Sequence, residues 1–244
     1  MIVHVADYRE FPPLDSGAPG TSVRPTVAID TDRYLRQEVL ELAAGTTLAR
    51  DPDELETLLF VVSGAGVLNL DGSHALGLGT AARVPPQHAW ELAAGEEPLL
   101  VVSVLVRAPD GPQSRTPVAV SLDDQESDAA TAAREYRMLF GPGNGCTSAT
   151  QFVGYIPPGR APDHYHEYDE VIFVLDGQGV VHAGDESTPA AFGTCIRLPA
   201  RVVHSVENVG ADSMTILGVF CPAGSPAAAF YPDGTPAHPS AAGS

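Results

Sequence analysis

Residues 159–170 read Gly159-Arg160-Ala161-Pro162-Asp163-His164-Tyr165-His166-Glu167-Tyr168-Asp169-Glu170, and their spacing sets the local fold. His164 and His166 are two residues apart, so on a β-strand both side chains point to the same face, where two imidazoles can bind one metal ion. A straight strand would carry Glu170 roughly 13 Å beyond His166, and metal–ligand bonds of about 2 Å cannot span that distance. We therefore predict that the chain turns within residues 167–169 and that Glu170 returns toward the histidines on the next strand.

The residues that follow predict a series of short antiparallel strands. The apolar run 171–175 is the first of them, and Asp176-Gly177 supplies a turn to a returning strand at 179–183. Two more strands are predicted at 194–198 and 202–206, with a turn at residues 199–201 between them. On the second, His204 shares a face with Val202 and Val206, as expected for a ligand surrounded by apolar barrel lining.

An internal repeat predicts two copies of one β-fold. Residues 58–66 (LLFVVSGAG) are similar to residues 171–179 (VIFVLDGQG). Residues 79–85 (GTAARVP) are similar to residues 193–199 (GTCIRLP), at nearly the same separation. Self-similarity at a fixed spacing is the signature of a repeated structural unit.

Together these segments resemble the two sequence signatures of the cupin family, G-x-H-x-H-x-E-x-G and G-x-P-x-H-x-N in spaced form. The resemblance is strong over residues 150–210 and extends to the rest of the chain only as a degenerate second copy. Gly159 stands one residue closer to the first histidine than the family glycine, and Arg201 replaces the usual turn glycine. The resemblance implies an all-β fold of two tandem cupin (jelly-roll β-barrel) domains, called a bicupin.

We place the domain boundaries from the repeat and from local composition. Residues 1–118 are predicted to form a degenerate N-terminal cupin barrel, and residues 119–222 a metal-binding C-terminal barrel. Residues 223–244, rich in Pro, Ala and Gly, are expected to be a tail that lies on the surface or is partly disordered. Residues 108–114 are interpreted as a turn-rich linker, and residues 123–138, acidic and then alanine-rich, as one short helix.

The resemblance also implies the metal ligands. In cupins the two histidines and the glutamate of the first motif and the histidine of the second bind one ion, and here these positions are His164, His166, Glu170 and His204. We therefore expect one divalent transition metal per chain, and three imidazoles with a carboxylate suit Fe, Mn, Ni, Co, Cu or Zn. Glu170 is also the candidate catalytic residue, because a carboxylate whose pKa is raised by burial can accept a proton from the substrate.

The N-terminal copy keeps no imidazole at the matching positions. They fall on Arg50 or Asp51, Pro52 or Asp53, Glu56 or Thr57, and Trp90 in place of His204. His74 and His88 lie nearby but out of register, and each is interpreted as an ordinary polar residue. The acidic residues Asp51, Asp53, Glu54 and Glu56 are interpreted as a solvated loop. Trp90 is predicted to fill the core of the first barrel where a metal would otherwise lie.

Further pocket residues are weaker candidates because strand phase is uncertain by one residue. Tyr155, Tyr168, His182 and Arg197 are each as consistent with a structural role as with lining the C-terminal pocket. The apolar lining is predicted to come from Ile172, Val174, Val202 and Val206.

Composition excludes several classes of function. The chain has 31 acidic and 13 basic residues, a formal net charge of −18 that repels nucleic acid and anionic membranes. Every basic residue is arginine, so lysine Schiff-base chemistry, pyridoxal phosphate anchoring and a phosphate-loop lysine are excluded. The three cysteines are widely spaced, and no signal peptide or long apolar run is recognised, so a cytoplasmic protein is expected.

We interpret the chain as a metal-dependent enzyme that acts on a small molecule in the C-terminal barrel. The leading hypothesis is a dioxygenase-type oxidoreductase, as in germin-like or quercetinase-like cupins. The alternatives are an isomerase, cyclase or lyase that works through an enolate, and a non-catalytic binding or storage cupin. Ureidoglycine aminohydrolases are set aside, because their first motif begins with glutamate. The expected partners are the small-molecule substrate and a second copy in a homodimer formed through edge strands.

Overall fold

The computed structural model describes residues 3–29, 34–109 and 118–237, and its regular structure is almost entirely β. Single 3-10 turns occur at Tyr8–Glu10, Leu122–Asp124 and Pro142–Asn144. The strands in chain order are β1 (His4–Asp7), β2 (Leu14–Asp15), β3 (Thr21–Ile29), β4 (Leu35–Leu42), β5 (Thr47–Arg50), β6 (Leu55–Ser63), β7 (Gly66–Asn69), β8 (Ser73–Leu76), β9 (Thr80–Val84), β10 (Trp90–Ala94), β11 (Leu99–Arg107), β12 (Ala119–Ser121), β13 (Ser127–Ala129), β14 (Glu135–Phe140), β15 (Thr150–Ile156), β16 (Gly159–Arg160), β17 (Asp169–Asp176), β18 (Gln178–Ala183), β19 (Glu186–Ala191), β20 (Thr194–Leu198), β21 (His204–Asn208) and β22 (Met214–Cys221).

Each half of the chain forms a barrel from one seven-stranded and one four-stranded sheet. The N-terminal barrel has the orders β12-β9-β6-β11-β4-β3-β2 and β5-β10-β7-β8. The C-terminal barrel has β1-β20-β17-β22-β15-β14-β13 and β16-β21-β18-β19. Strands β9-β6-β11-β4 and β20-β17-β22-β15 occupy equivalent places, which confirms the repeat and the all-β fold of two tandem jelly-roll barrels.

The two barrels exchange their terminal strands. Strand β1, near the N-terminus, pairs antiparallel with β20 of the C-terminal barrel. Strand β12 pairs with β9 of the N-terminal barrel. The division between residues 118 and 119 stays a prediction, and residues 110–117 of the linker region lie outside the described residues. The seven-stranded sheet of each barrel therefore includes one strand, β1 or β12, from the part of the chain assigned to the other barrel.

The short helix predicted at residues 123–138 is wrong. That region holds the 3-10 turn Leu122–Asp124, then β13 and β14 paired as a hairpin. The alanine run favours a helix only weakly, whereas Tyr136, Leu139 and Phe140 are buried when β14 extends beside β15. Tertiary packing therefore overrides the local helix propensity.

Side chains along the central strands point alternately into a cluster shared by both barrels and into the interior of their own barrel. Leu58 and Phe60 of β6 and Val171 and Phe173 of β17 lie in one buried cluster that is shared by both barrels. The intervening residues, such as Leu59 in the first barrel and Ile172 in the second, point into the interior of their own barrel. Because side chains alternate between faces, each central strand packs against the other barrel on one side and lines its own interior on the other.

Trp90 is buried in the interior cluster of the N-terminal barrel, and the prediction for it is confirmed. It pairs with Arg50 across the sheet, as His204 pairs with His164 in the second barrel. The first barrel therefore has an indole where the second has an imidazole.

A buried ion pair joins the two barrels. Glu56 is 0% exposed and Arg83 is 1% exposed, and they form a salt bridge. Ser148 of the C-terminal barrel donates a hydrogen bond from its hydroxyl to Glu56, and Arg83 Nη1 donates to the carbonyl oxygen of Gly145 at 3.1 Å. The interpretation of Glu56 as part of a solvated loop is therefore wrong, although Asp51, Asp53 and Glu54 are exposed. Glu56 begins the buried part of β6, where only a paired charge is tolerated.

Substituting Glu56→Gln should lower the free energy of unfolding by about 3–5 kcal/mol, because it leaves the guanidinium of Arg83 buried without a counter-charge. Urea unfolding followed by tryptophan fluorescence, which reports on Trp90, measures the change. Glu91→Gln, at an exposed position of β10, is the control and should have little effect. Equal stability of the two variants would contradict the structural role given to this pair.

Candidate metal centre

Three histidines are brought together by the edge of the smaller sheet of the C-terminal barrel. His164 and His204 form a bridge, with His164 N–H donating to the His204 carbonyl at 3.0 Å and His204 N–H donating to the His164 carbonyl at 2.8 Å. His166 follows two residues later, and its carbonyl accepts a hydrogen bond of 2.7 Å from Arg201 N–H. Arg201 adopts φ 64°, the left-handed conformation for which cupins use glycine at this turn.

The chain turns where the sequence predicts. A bend at residues 167 and 168 precedes β17, which begins at Asp169. The carboxylate of Asp169 accepts a hydrogen bond of 2.9 Å from Ala200 N–H and so ties this bend to the turn before His204. Glu170 is thereby returned to the histidines, on the interior face of the barrel.

The ring nitrogens of the three histidines converge. One ring nitrogen from each of His164, His166 and His204 lies within 4.8 Å of those of the other two. In each ring Nδ1 lies within hydrogen-bond distance of a backbone carbonyl: 2.9 Å to Pro162, 3.1 Å to Ala228 and 2.8 Å to Val202, respectively. A carbonyl only accepts, so each Nδ1 carries the proton and each Nε2 keeps a free lone pair. Three neutral imidazoles with free Nε2 atoms are the donor set that a divalent transition metal requires.

Glu170 lies beside this group rather than within it. Its Oε2 is 3.9 Å from His166 Nε2, and it is not part of the set whose ligand atoms all lie within 4.8 Å of one another. The residue is 3% exposed and lines the same cavity as the histidines. Glu170 as the fourth ligand therefore stays a prediction.

Burial governs the charge state of every group at the centre. Burial lowers the pKa of all three histidines, and the pKa of His204 falls to about 3 because His164 is adjacent as well. All three are therefore neutral at physiological pH and available to a metal. Burial raises the pKa of Glu170 to about 8, and the positive charge of Arg134 partly opposes that rise.

The centre opens into a small cavity of about 70 Å³ inside the C-terminal barrel. Its polar wall contains the three histidines, Glu170 and Arg134. The apolar wall includes Phe152, Ile156, Ile172, Leu198, Val206 and Ile216. Ile172 and Val206 were predicted as lining, whereas Val174 is buried in the adjacent core and Val202 is absent from the wall. The wall is mainly hydrocarbon, which limits the water that reaches the histidines.

An aromatic stack supports the wall behind His166. The ring of Tyr168 lies parallel to His166 with centroids 4.6 Å apart, and it stacks on Phe220 at 3.8 Å. Phe152 packs against Phe220 on the other side. Gly218 is part of this arrangement, because a Cβ there would lie 2.4 Å from the Phe152 ring and 3.0 Å from Glu170 Oε1. The absence of a side chain at Gly218 leaves room for both groups.

Of the weaker candidates, Tyr155 and Tyr168 line the cavity, but His182 and Arg197 do not. His182 is within hydrogen-bond distance of Ser187 and Glu207 on the outer side of its sheet. Arg197 donates to the Ala28 carbonyl of the other barrel at 3.1 Å. Both point away from the interior because a shift of one residue in strand phase reverses the face.

Sequence reasoning missed two parts of the site. The segment after residue 222 is not only a surface tail, because its Ala228 carbonyl holds His166 and its Pro226 lines the cavity. A backbone carbonyl leaves no signal in a sequence. Arg134 was also missed because its region was interpreted as a helix.

Comparison with known proteins agrees with this architecture. Residues 152–220 match the family model described as a cupin domain. An uncharacterised protein of Streptomyces coelicolor is 37% identical over 57 residues, which are 23% of this chain and 53% of that protein. The match thus spans about half the length of that curated relative.

Solved structures resemble the whole chain. A Bacillus subtilis oxalate decarboxylase described with Mn(II) centres has a TM-score of 0.70 at 14% identity, over 91% of this chain and 78% of that one. A Lactobacillus farciminis oxalate decarboxylase in a formate complex has a TM-score of 0.73 at 12% sequence identity, and the match covers 88% of this chain and 85% of that one. Protein Ylba from E. coli has a TM-score of 0.73 at 16% sequence identity, and the match covers 91% of this chain and 92% of that one. At these identities the likeness establishes the fold.

Residues 152–220 thus match a cupin domain, and the whole chain has the fold of two tandem cupin barrels. Within the part of the chain that the structure describes, it has one histidine site for a divalent transition metal, in the C-terminal barrel. No described helix has both the length and the hydrophobicity to span a bilayer.

Substituting His166→Ala or His204→Ala should reduce bound metal from about one ion per chain to below about 0.2, because each removes a direct bond to the ion. Elemental analysis of the purified protein measures this. His182→Ala is the matched control and should keep its metal, since that imidazole lies outside the cavity. Two ions per chain, or full occupancy in His204→Ala, would contradict the assignment.

Substituting Gly218→Ala should weaken metal binding by roughly tenfold or more, because the new methyl group displaces Phe152 and the carboxylate of Glu170. Competition with a chromophoric chelator measures the affinity. Gly77→Ala is the control, since a Cβ there meets nothing within 4 Å. If Gly218→Ala binds metal as tightly as the parent protein, Glu170 does not contribute to the centre.

Proposed function

We propose that the chain is a metal-dependent enzyme that acts on a small molecule in the cavity of the C-terminal barrel. The observation that carries this proposal is the convergence of three neutral imidazoles at the wall of a mainly apolar cavity. A barrel that only stored a ligand would not need a metal-binding donor set in its wall. A buried donor set beside a cavity is the usual arrangement of a catalytic metal site.

His164, His166 and His204 would hold the ion through Nε2, and Glu170 would supply the fourth ligand atom. When bound, a divalent transition metal supplies a Lewis acid and, if it is redox-active, a route for electrons. The three backbone carbonyls fix the orientation of the imidazoles before any ligand arrives. Such fixed orientation reduces the reorganisation that accompanies reaction.

The finer proposal is a dioxygen-dependent oxidoreductase. A dioxygenase places both oxygen atoms in its products and needs no separate reductant, so the substrate and dioxygen are sufficient reactants. The apolar side chains Phe152, Ile172 and Ile216 support this assignment, because they keep water away from the place where the substrate reacts.

A second candidate is a non-redox isomerase, cyclase or lyase that works through an enolate. The observation that favours it is the buried carboxyl of Glu170, which lines the cavity beside the histidines and whose pKa is raised by burial. In this scheme Glu170 would leave the ion, accept as a carboxylate the proton from a carbon next to a carbonyl, and return it elsewhere on the substrate.

The two chemistries differ in their need for oxygen and for a redox-active metal. Protein loaded separately with Fe(II), Mn(II), Co(II) and Zn(II) should be tested with enolic, catecholic and keto-acid compounds, with oxygen consumption and product formation recorded together. The dioxygenase proposal expects one O2 consumed per product formed and no turnover with Zn(II). Full activity under strict anaerobiosis, or with Zn(II), would contradict it and support the isomerase proposal.

A homodimer formed through edge strands and a cytoplasmic location stay predictions. The edge strands of the two large sheets that could take part in such pairing are β2 and β12 in one sheet and β1 and β13 in the other.

A further inference from the structure

Arg134 is a cation in the wall of the cavity that has no acidic partner. Its Nη2 donates a hydrogen bond of 2.7 Å to the carbonyl oxygen of Val206. Within residues 3–29, 34–109 and 118–237, no carboxylate lies within 4.0 Å of the guanidinium, and Nε and Nη1 have no hydrogen-bond partner. Neither of these two atoms is sealed inside the protein. A guanidinium has five N–H donors, so most of them are available to a ligand.

Several other arginines of the chain form ion pairs with carboxylates. In a chain with 31 acidic residues, Arg83 pairs with Glu56, Arg160 with Asp163 and Arg201 with Glu167. Burial lowers the pKa of Arg134 to about 10, so it is still charged at neutral pH. Within the described residues no carboxylate forms an ion pair with this partly buried guanidinium, and an anionic ligand in the cavity would pair with its charge.

Arg134 follows a tight turn between β13 and β14 whose backbone conformation is unfavourable for its alanines. Ala132 and Ala133 both adopt the left-handed conformation, with φ of 55° and 56°. The turn is closed by hydrogen bonds from Arg134 N–H to the Thr131 carbonyl and from Ala130 N–H to the Arg134 carbonyl. Two successive non-glycine residues in this region are unusual, and their effect is to direct the arginine inward between β13 and β14.

The neighbouring groups define the ligand chemistry. Tyr136 and Tyr168 line the same cavity, and their hydroxyls have no hydrogen-bond partner in the described chain. The wall of the cavity thus carries phenol and guanidinium groups, both of which can donate hydrogen bonds to a ligand. A carboxylate matches the planar guanidinium, which can donate two parallel hydrogen bonds to it. A phosphate dianion fits less well, because the wall also carries the acids Glu135 and Glu170.

The cavity limits the size of the ligand. Its volume of about 70 Å³ corresponds to roughly five to seven water molecules, at about 10–15 Å³ each on this measure. A molecule of comparable size has few carbon atoms, and it reaches both the histidines and Arg134 because both lie in the wall of one cavity.

We propose that Arg134 binds the carboxylate of the substrate and that the substrate is a small carboxylic acid, with its reacting oxygen directed toward His164, His166 and His204. This inference rests on the proposed function, since it assigns the substrate class of that same site. Arg134 is then the residue that selects anionic over neutral substrates.

Calorimetric titration of the metal-loaded chain with pyruvate, acetate and oxalate, and with pyruvamide as the neutral counterpart of pyruvate, tests the inference. Arg134→Met removes the charge at similar length, Arg134→Lys keeps it, and Arg9→Met alters an exposed arginine outside the cavity. Metal content and melting temperature are measured for each variant. Failure of the parent protein to bind metal would count against the proposed function, whereas the change in ligand preference between the parent protein and Arg134→Met reports on Arg134.

We expect the parent protein and Arg9→Met to bind pyruvate at least tenfold more tightly than pyruvamide. Arg134→Met should lose this preference while keeping its metal, and Arg134→Lys should keep it at several-fold lower affinity, because an ammonium cannot form the paired hydrogen bonds. The inference is overturned if Arg134→Met keeps the preference, or if pyruvate, acetate and oxalate all fail to bind the parent protein. Should Arg134→Met not fold, an Arg134→Lys variant with unchanged pyruvate affinity overturns it equally.

Discussion

The geometry of the metal centre depends on three hydrogen bonds from imidazole Nδ1 to backbone carbonyls. The acceptors come from three separate parts of the chain: Pro162 before the first motif, Val202 before the second, and Ala228 in the terminal segment. Each bond fixes the tautomer and the rotation of one ring. The barrel, the turn at Arg201 and the closing segment must all form before the three Nε2 atoms can converge. Metal binding and the folding of this half are therefore expected to be coupled.

The two barrels show how one repeat serves two purposes. In both, the central strand packs one face against the other barrel and turns the opposite face inward. The interior of the first is filled by apolar side chains, with Trp90 at the position equivalent to His204, and it is a packed core. The second keeps polar groups and a cavity there. The N-terminal barrel contributes the large buried interface and the Glu56–Arg83 pair, while strand β1 completes the sheet beside β20.

Much of the fold and the histidine set could be predicted from sequence, because both leave local signals. Apolar alternation and turn residues located strand β20 at its observed bounds, and the spacing of His164, His166 and His204 required the observed turn. The predictions that were wrong concern residues whose burial or secondary structure is determined by contacts with residues far away in the sequence. Glu56 is buried where the second barrel packs against the first, and it is paired there with Arg83. Residues Glu135–Phe140 form a strand because they pair with β15. The contact of the Ala228 carbonyl with His166 and the position of Arg134 in the cavity wall depend on tertiary structure that has no sequence motif.

The central claim is that one metal ion binds at the three histidines of the C-terminal barrel, with Glu170 as the fourth protein ligand. Anomalous diffraction from crystals of the Mn(II)- or Co(II)-loaded protein tests it most directly. The account predicts one strong anomalous peak per chain, within about 2.0–2.3 Å of Nε2 of His164, His166 and His204 and of one Glu170 oxygen. A peak in the N-terminal barrel, coordination through Nδ1, or a Glu170 carboxylate directed away from the ion would contradict it.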